Sequence, residues 1–482
     1  MPSWKRALPP VLLGGLFLLT RLRCWVFVAY SRAHFDSDQA VIGLMAKDLA
    51  TGRAFAWFTY GRTYMLAVSA FLSAPLFALF GTSVTLLKVP LVAMNLAVVA
   101  MLWVGLRREP AATPARIALS ILPFAIPSVV VSSRIVEQAG GNIEPFVFIV
   151  AGFLLRANPI WLGINFGVGF LNREFALIGL VALVLMELVQ GTLLSRWKAW
   201  LTSSATIAAT VILGRFVASR AANYFGSPAL VGHSSWENVS GLLSQQLPTM
   251  IGGQLTALSA YNITSTLWVG HTWLCIVVAL WLALVVVLGV RVERSELNGM
   301  PTYLILVAGG QLLAYMLLSP GSTDPMLVRY TLLVLLGLCG ITAHAMRRPA
   351  LRAPTVFVVA LLSLAQLRDH VALIHEYAIA LPPDDREQLA EELVRRDVQY
   401  AVANDWVSYH VSFLTDERVI ANSNADQRIQ RYNELISKHA AEVTTIAEQP
   451  CAGAARVAHW YSCGPAVSLS GRASVGPEPK QR

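Results

Sequence analysis

Apolar runs long enough to cross a bilayer recur through most of this chain, and they leave few folds open. A helix needs about 20 apolar residues to span roughly 30 Å of hydrocarbon. Only helices and closed barrels satisfy their own backbone there. Apolar runs fall near 9–30, 85–106, 117–131, 143–155, 160–171, 175–189, 199–217, 268–290, 303–318, 328–345 and 355–367, some of them shorter than a full crossing. They predict a polytopic α-helical membrane protein of about eleven transmembrane helices. Composition agrees. Residues are 55% hydrophobic and 13% charged, against about a quarter charged in soluble domains.

Charge gives the runs a direction. Lys5 and Arg6 precede the first run. Alternate loops then hold Arg107, Arg108 and Arg116; Arg156; Arg196 and Lys198; Arg291 and Arg294; and Arg347, Arg348 and Arg352. The positive-inside rule places these loops and the amino end in the cytoplasm. An odd number of crossings puts the C-terminal part outside the plasma (inner) membrane. That part, 381–482, holds 14 of the 28 acids and 11 of the 37 bases, net −3, and leaves +12 on the rest. The basic excess therefore belongs to topology and not to nucleic-acid binding. No small-residue cleavage pattern follows the first run, which reads as a retained anchor.

Residues 1–375 thus form a transmembrane domain whose first outer loop is 31–83. Within the loop, Val41, Ile42, Met45 and Leu49 fall at helical spacing, and Gly52 suits a helix stop. They predict a short amphipathic helix lying on the membrane. A second interfacial or re-entrant helix is expected over 64–80, with Pro75 inside it. Residues 381–463 read as a small α/β domain: helices over 384–396 and 427–440, and strands at 399–403, 418–421 and 442–447. The Ser-, Gly- and Pro-rich residues 464–482 read as a disordered tail. Cys24, Cys275 and Cys339 sit in apolar runs, whereas Cys451 and Cys463 could pair in an extracytoplasmic domain.

The polar residues of the outer loops are the ones that could carry chemistry. Asp36 and Asp38 follow the first run directly, and carboxylates at a membrane surface are costly unless used. A carboxylate could take a proton from a hydroxyl, or the pair could hold a divalent metal, Mg²⁺ or Mn²⁺. The plainer reading is a helix cap, with Asp36 capping and Gln39 three residues on. Both uses can coexist. His34 reads as an exposed loop histidine. Lys88, two residues before Pro90, either snorkels to headgroups or binds a phosphate. Arg134 and Glu137 have the spacing of a helix-end ion pair. Arg173 and Glu174 interrupt the apolar stretch 161–189, as a tight hairpin would. Asp324, Arg329 and Tyr330 precede a late run. There Arg329 could grip a phosphate bidentately, or anchor the interface with Tyr330.

Three stretches carry a resemblance. They are Asp36-Ser-Asp38-Gln-Ala-Val-Ile-Gly-Leu-Met-Ala; Trp57-Phe-Thr-Tyr-Gly-Arg-Thr-Tyr-Met with Ala74-Pro75-Leu-Phe-Ala-Leu-Phe-Gly81 and Leu87-Lys88-Val-Pro90; and Arg329-Tyr330. Over residues 8–370 the chain resembles the GT-C superfamily of polyprenyl-phosphate-sugar-dependent glycosyltransferases. Bacterial relatives of protein O-mannosyltransferases and of aminoarabinose transferases are the nearest in kind. The resemblance implies a polyprenyl-phosphate-linked sugar as donor, entering between helices on the outer side. It implies Asp38 as general base with Asp36 as its helper, and Arg329, Lys88, Arg134 and Arg173 around the donor phosphate. Glu137, Glu174, Asp324 and Tyr330 are further site candidates. The acceptor, whether lipid, glycan or protein, is left open. Relatives often carry an acid in the second interfacial helix, where this chain has Ser69, so metal use stays open as well. Two rival readings are a lipid-sugar transporter and a non-catalytic scaffold. A transporter favours charges deep within its helices and inverted halves; here the charges gather at one surface and no repeat is visible.

Overall fold

The computed structural model describes residues 3–110, 112–137, 141–221, 236–253, 271–289, 298–318, 325–382, 384–450, 455–457 and 460–465. Asp324, Cys451 and residues 466–482 lie outside them, and with them the Asp324 assignment, the cysteine pairing and the tail.

The chain opens with α1 (Ser3–Ala29) and a short 3₁₀ turn, Ser31–His34. The first loop holds α2 (Ser37–Thr51) and α3 (Val68–Phe80). The bundle continues with α4 (Val84–Arg107), α5 (Pro114–Ala125), α6 (Val129–Arg134), α7 (Glu144–Leu155), α8 (Pro159–Asn172), α9 (Ala176–Gln190) and α10 (Trp197–Ala218). Then come α11 (Trp236–Gly241), α12 (Leu247–Ile251), α13 (Thr272–Gly289), α14 (Met300–Leu318), α15 (Val334–Ala345) and α16 (Pro349–Ile379). By length and composition, α1, α4, α10, α14 and α16 can cross a membrane. This is a membrane protein. Helices of 12–15 residues such as α5, α7 and α9 rise only about 18–23 Å.

Local chemistry explains most of the breaks. Ser83 and Thr113 cap α4 and α5, and Asn158 caps α8 ahead of Pro159. The run 117–131, expected as one span, is two helices. The chain leaves α5 at Ile126, ahead of Pro127, which has no N–H to donate, and Ser128 caps a fresh start for α6. Gly52 ends α2 at φ +67, as its sequence suggests. The surface-lying amphipathic helix is corrected. Every residue of α2 from Gln39 to Ala46 is buried, because α3 covers one side and a helix of the C-terminal domain the other.

That domain comprises α17 (Asp385–Arg395), α18 (Asp405–Leu414), α19 (Gln430–Lys438) and strands β1 (Tyr400–Ala403), β2 (Ile420–Ser423), β3 (Thr444–Ala447), β4 (Ala455–Val457) and β5 (Trp460–Pro465). The sheet runs β2-β1-β3-β5-β4, parallel across β2, β1 and β3 and antiparallel beyond. Its own core centres on Leu389, Val407, Ala421 and Ile446. A second core joins it to the first loop: Phe35, Val41, Leu44 and Phe77 pack with Tyr409, Phe413, Ile420 and Tyr432. Gly43 is required there, since a Cβ would stand 2.4 Å from the Phe413 ring.

Candidate functional site

The site lies where the first loop, the starts of α4 and α7 and the C-terminal domain meet. Asp36 is the N-cap of α2; its Oδ1 accepts the Gln39 N–H at 2.9 Å. The capping reading therefore holds, and it holds the carboxyl under cover. Its other neighbour is Glu137. Burial first, then the Glu137 and Asp38 carboxylates, push Asp36 up to about 7, against the opposing hydrogen bond from Gln39. Near neutral pH the Asp36 carboxyl is therefore only partly ionised. Glu137 also takes Arg134 Nη1 at 2.6 Å, with both side chains buried. The i,i+3 pair predicted from spacing forms, but inside the protein and not at a solvated helix end. Lys88, 1% exposed, lies within electrostatic reach of Asp36 and Glu137 and donates to the His34 carbonyl at 2.7 Å. It does not snorkel. His34 is not an exposed loop residue: it is buried, stacked on Tyr377 and edge-on to Phe27.

Asp38 turns elsewhere. From the first turn of α2 its Oδ1 accepts Arg428 Nη1 at 2.7 Å, and 28% of the side chain stays exposed. Arg428 comes from the C-terminal domain and also binds Asp426, which binds Arg62 at 2.8 Å. Gly61, at φ +69, lets the first loop pass against the Arg428 backbone, where a Cβ would stand 2.7 Å from its Cα. Arg329, in the 3₁₀ turn Pro325–Tyr330, feels the charges of Glu137 and Asp38 and sits over the Tyr330 ring. Its buried Nε has no hydrogen-bond partner among the described residues. Both residues thus join the site's edge, with Tyr330 edge-on to Phe175.

Arg173 and Glu174 occupy the α8–α9 turn, as the hairpin reading requires. Arg173 lies against Gly141 and within electrostatic reach of Glu144. Glu174 is exposed and enters no ion pair among the described residues. Glu144, at the start of α7, lies beside Ser69.

Sequence reasoning missed Arg428 and the network around Glu417. Glu417 bridges Lys47 and Arg53 of the first loop with Arg431 and Tyr432 of its own domain. Arg53 in turn pairs with Asp48, which accepts the Tyr60 hydroxyl at 2.7 Å. Glu417 stands more than 350 residues from Lys47 and Arg53, and no local pattern announces that meeting. Asp36 and Asp38 diverge onto different partners. Among the described residues no three His, Cys, Asp or Glu side chains are grouped to hold a metal.

No family model matches the sequence, and no curated protein does. Solved structures do. A crystal structure of ArnT from Cupriavidus metallidurans bound to undecaprenyl phosphate aligns over 95% of this chain and 99% of its own, with TM-score 0.54 and 12% identity. The chain shares its fold with that ArnT structure. An apo crystal structure of ArnT from the same organism covers 86% of this chain and 88% of its own, with TM-score 0.38 and 13% identity. The likeness bears on the fold alone; the chemistry rests on the residues just described.

The Asp36–Glu137 pair has a measurable signature. A carboxyl raised from about 3.9 in the unfolded chain to about 7 binds a proton more tightly when folded. Its contribution is therefore full below the unfolded value and lost as pH rises through 7. Asp36→Asn keeps the cap and removes the titration. It is expected to melt close to wild type at pH 5 and to be more stable at pH 8.5, by roughly 1–3 kcal/mol. Equal pH profiles for the two proteins would rule the raised Asp36 carboxyl out.

Proposed function

We propose that this chain is a GT-C-type membrane glycosyltransferase. It would move a sugar from a polyprenyl-phosphate donor to an acceptor hydroxyl on the extracytoplasmic side. The observation that carries this reading is the gathering of Asp38 with Lys88, Arg134 and Arg329 at one end of the bundle, beneath a docked α/β domain. The ArnT fold, solved with undecaprenyl phosphate, supports the same donor class. In this reading about eleven helices cross the inner membrane, the amino end is cytoplasmic and residues 381–463 lie outside.

Asp38 takes the acceptor proton. Its Oδ1 is held by Arg428, and among the described residues Oδ2 accepts no hydrogen bond, so one oxygen orients the group and the other reacts. The sugar bond to phosphate breaks, and the departing phosphate gathers charge that Lys88, Arg134 and Arg329 offset. Asp36 and Glu137 keep these cations in place.

Binding tests the donor side. Undecaprenyl phosphate should raise the melting temperature of the purified protein saturably. Arg329→Ala should weaken that binding roughly tenfold, the scale of a lost charge-assisted bond, while Asp38→Asn should leave it near wild type. No stabilisation of the folded protein would return the reading to transport or scaffolding.

A further inference from the structure

The largest charges that this mechanism leaves unused lie at the far end of the bundle. There α7 ends at Arg156, α9 ends at Gln190 and α10 begins. Because α7 starts at Glu144 beside the candidate site, its end marks the opposite face, where the inner-loop arginines collect. A cavity of about 150 Å³ opens between these helices, lined by Arg156, Leu162, Glu187, Gln190, Arg196 and Trp200 among others. It is smaller than the roughly 300–1,000 Å³ of drug-sized sites, which suits a head group.

Its charges do not cancel. Glu187 is taken by Arg196 and by the Trp200 indole N–H at 2.5 Å. Arg156 donates to the Asn298 carbonyl at 3.0 Å and sits over the Phe153 ring, and among the described residues it pairs with no carboxylate. Gln190 Nε2 is buried without a hydrogen-bond partner among the described residues. A guanidinium that feels Glu109 and Glu187 but, among the described residues, is bonded to neither shares one cavity wall with an amide donor, and α10 starts there without a side-chain cap, its positive end toward the same space. Outside the cavity Leu188, Val189, Leu194, Trp197 and Leu201 are exposed. Apolar residues with a tryptophan at a helix end are the surface that acyl chains and the interface cover.

We infer that this cavity binds the phosphate of an anionic phospholipid from the cytoplasmic leaflet. Arg156 is the counter-charge, Gln190 a second donor, and the acyl chains lie along the exposed side of α9 and α10. The site is separate from the donor site and does not depend on the chain being a transferase.

The test uses the delipidated full chain in detergent, with thermal unfolding and native mass spectrometry as readouts. Phosphatidylglycerol should raise the melting temperature saturably and be retained as one bound lipid, whereas phosphatidylcholine should do neither. Arg156→Gln should weaken binding roughly tenfold. Gln190→Leu, which leaves every charge in place, should weaken it by a smaller factor and covers the case of an unfolded Arg156 variant. Asp38→Asn should bind as wild type. The inference is overturned if phosphatidylcholine matches phosphatidylglycerol, or if folded Arg156→Gln and Gln190→Leu bind as wild type. It is also overturned if inorganic phosphate alone reproduces the shift, which would make this a free-phosphate site.

Discussion

Asp38→Asn should lower sugar transfer by about 10²–10⁴-fold, the range that general-base catalysis supplies, with the protein still folded. Asparagine keeps the shape of the side chain in the first turn of α2 but cannot take a proton. The change also removes the charge that meets Arg428, yet Asp426 still holds that guanidinium at 2.8 Å. The domain stays seated through Glu417 and through the apolar contacts of Phe35 and Phe413. Single-turnover transfer from a polyprenyl-phosphate sugar, read beside a melting curve, separates lost chemistry from lost fold. Transfer at the wild-type rate by a folded Asp38→Asn protein would end the role given to this residue.

Glu417→Ala should loosen the C-terminal domain by about 1–3 kcal/mol, the scale of lost hydrogen bonds to a charged group, because Arg53 and Arg431 keep about a third of their side chains in solvent. Its carboxylate is almost fully covered and shared by Lys47, Arg53 and Arg431. Burial alone would push the group upward, but the side-chain and charge contacts from Arg53, Arg431 and Lys47 outweigh it and hold Glu417 at about 2. A depressed carboxyl stabilises the docked state above its unfolded value, about 4.3, and that help is lost as pH falls toward 2. Limited proteolysis near 380–384 should therefore quicken in wild type between about pH 4.5 and 2. In Glu417→Gln it should be fast throughout that window. A Glu417→Ala protein cut no faster than wild type at pH 7 would show that the apolar contacts alone seat the domain.

The parts of this architecture that announce themselves in sequence are the local ones. Apolar length marks the helices. Asp36 with Gln39, Gly52, and Asp384 before α17 mark ends, because capping chemistry acts over three or four residues. The parallel strands β1, β2 and β3 are legible within two residues, whereas β4 has only three residues and β5 runs into Gly464 and Pro465, which read as a break. The burial of α2 was not legible either. Its apolar spacing fits a membrane surface as well as a protein sandwich, and its cover arrives from α18. The site divides the same way. The carboxylates and cations could be nominated from their places in the outer loops. That Asp36 meets Glu137, and that Asp38 meets Arg428, follows only from packing elements far apart in the chain.

The span between Asp38 and Arg428 is 390 residues, and it sets a clock on the protein's birth. At about 5–20 residues per second, roughly 20–80 s separate the synthesis of the aspartate from that of its partner. For that interval α2 has neither its cover nor its counter-charge, while the hydrophobic face of the first loop is already made. A chain that stalls before β2 would carry every transmembrane segment and no assembled centre. In the proposed reading, activity waits until Arg428 has been made and docked on the first loop.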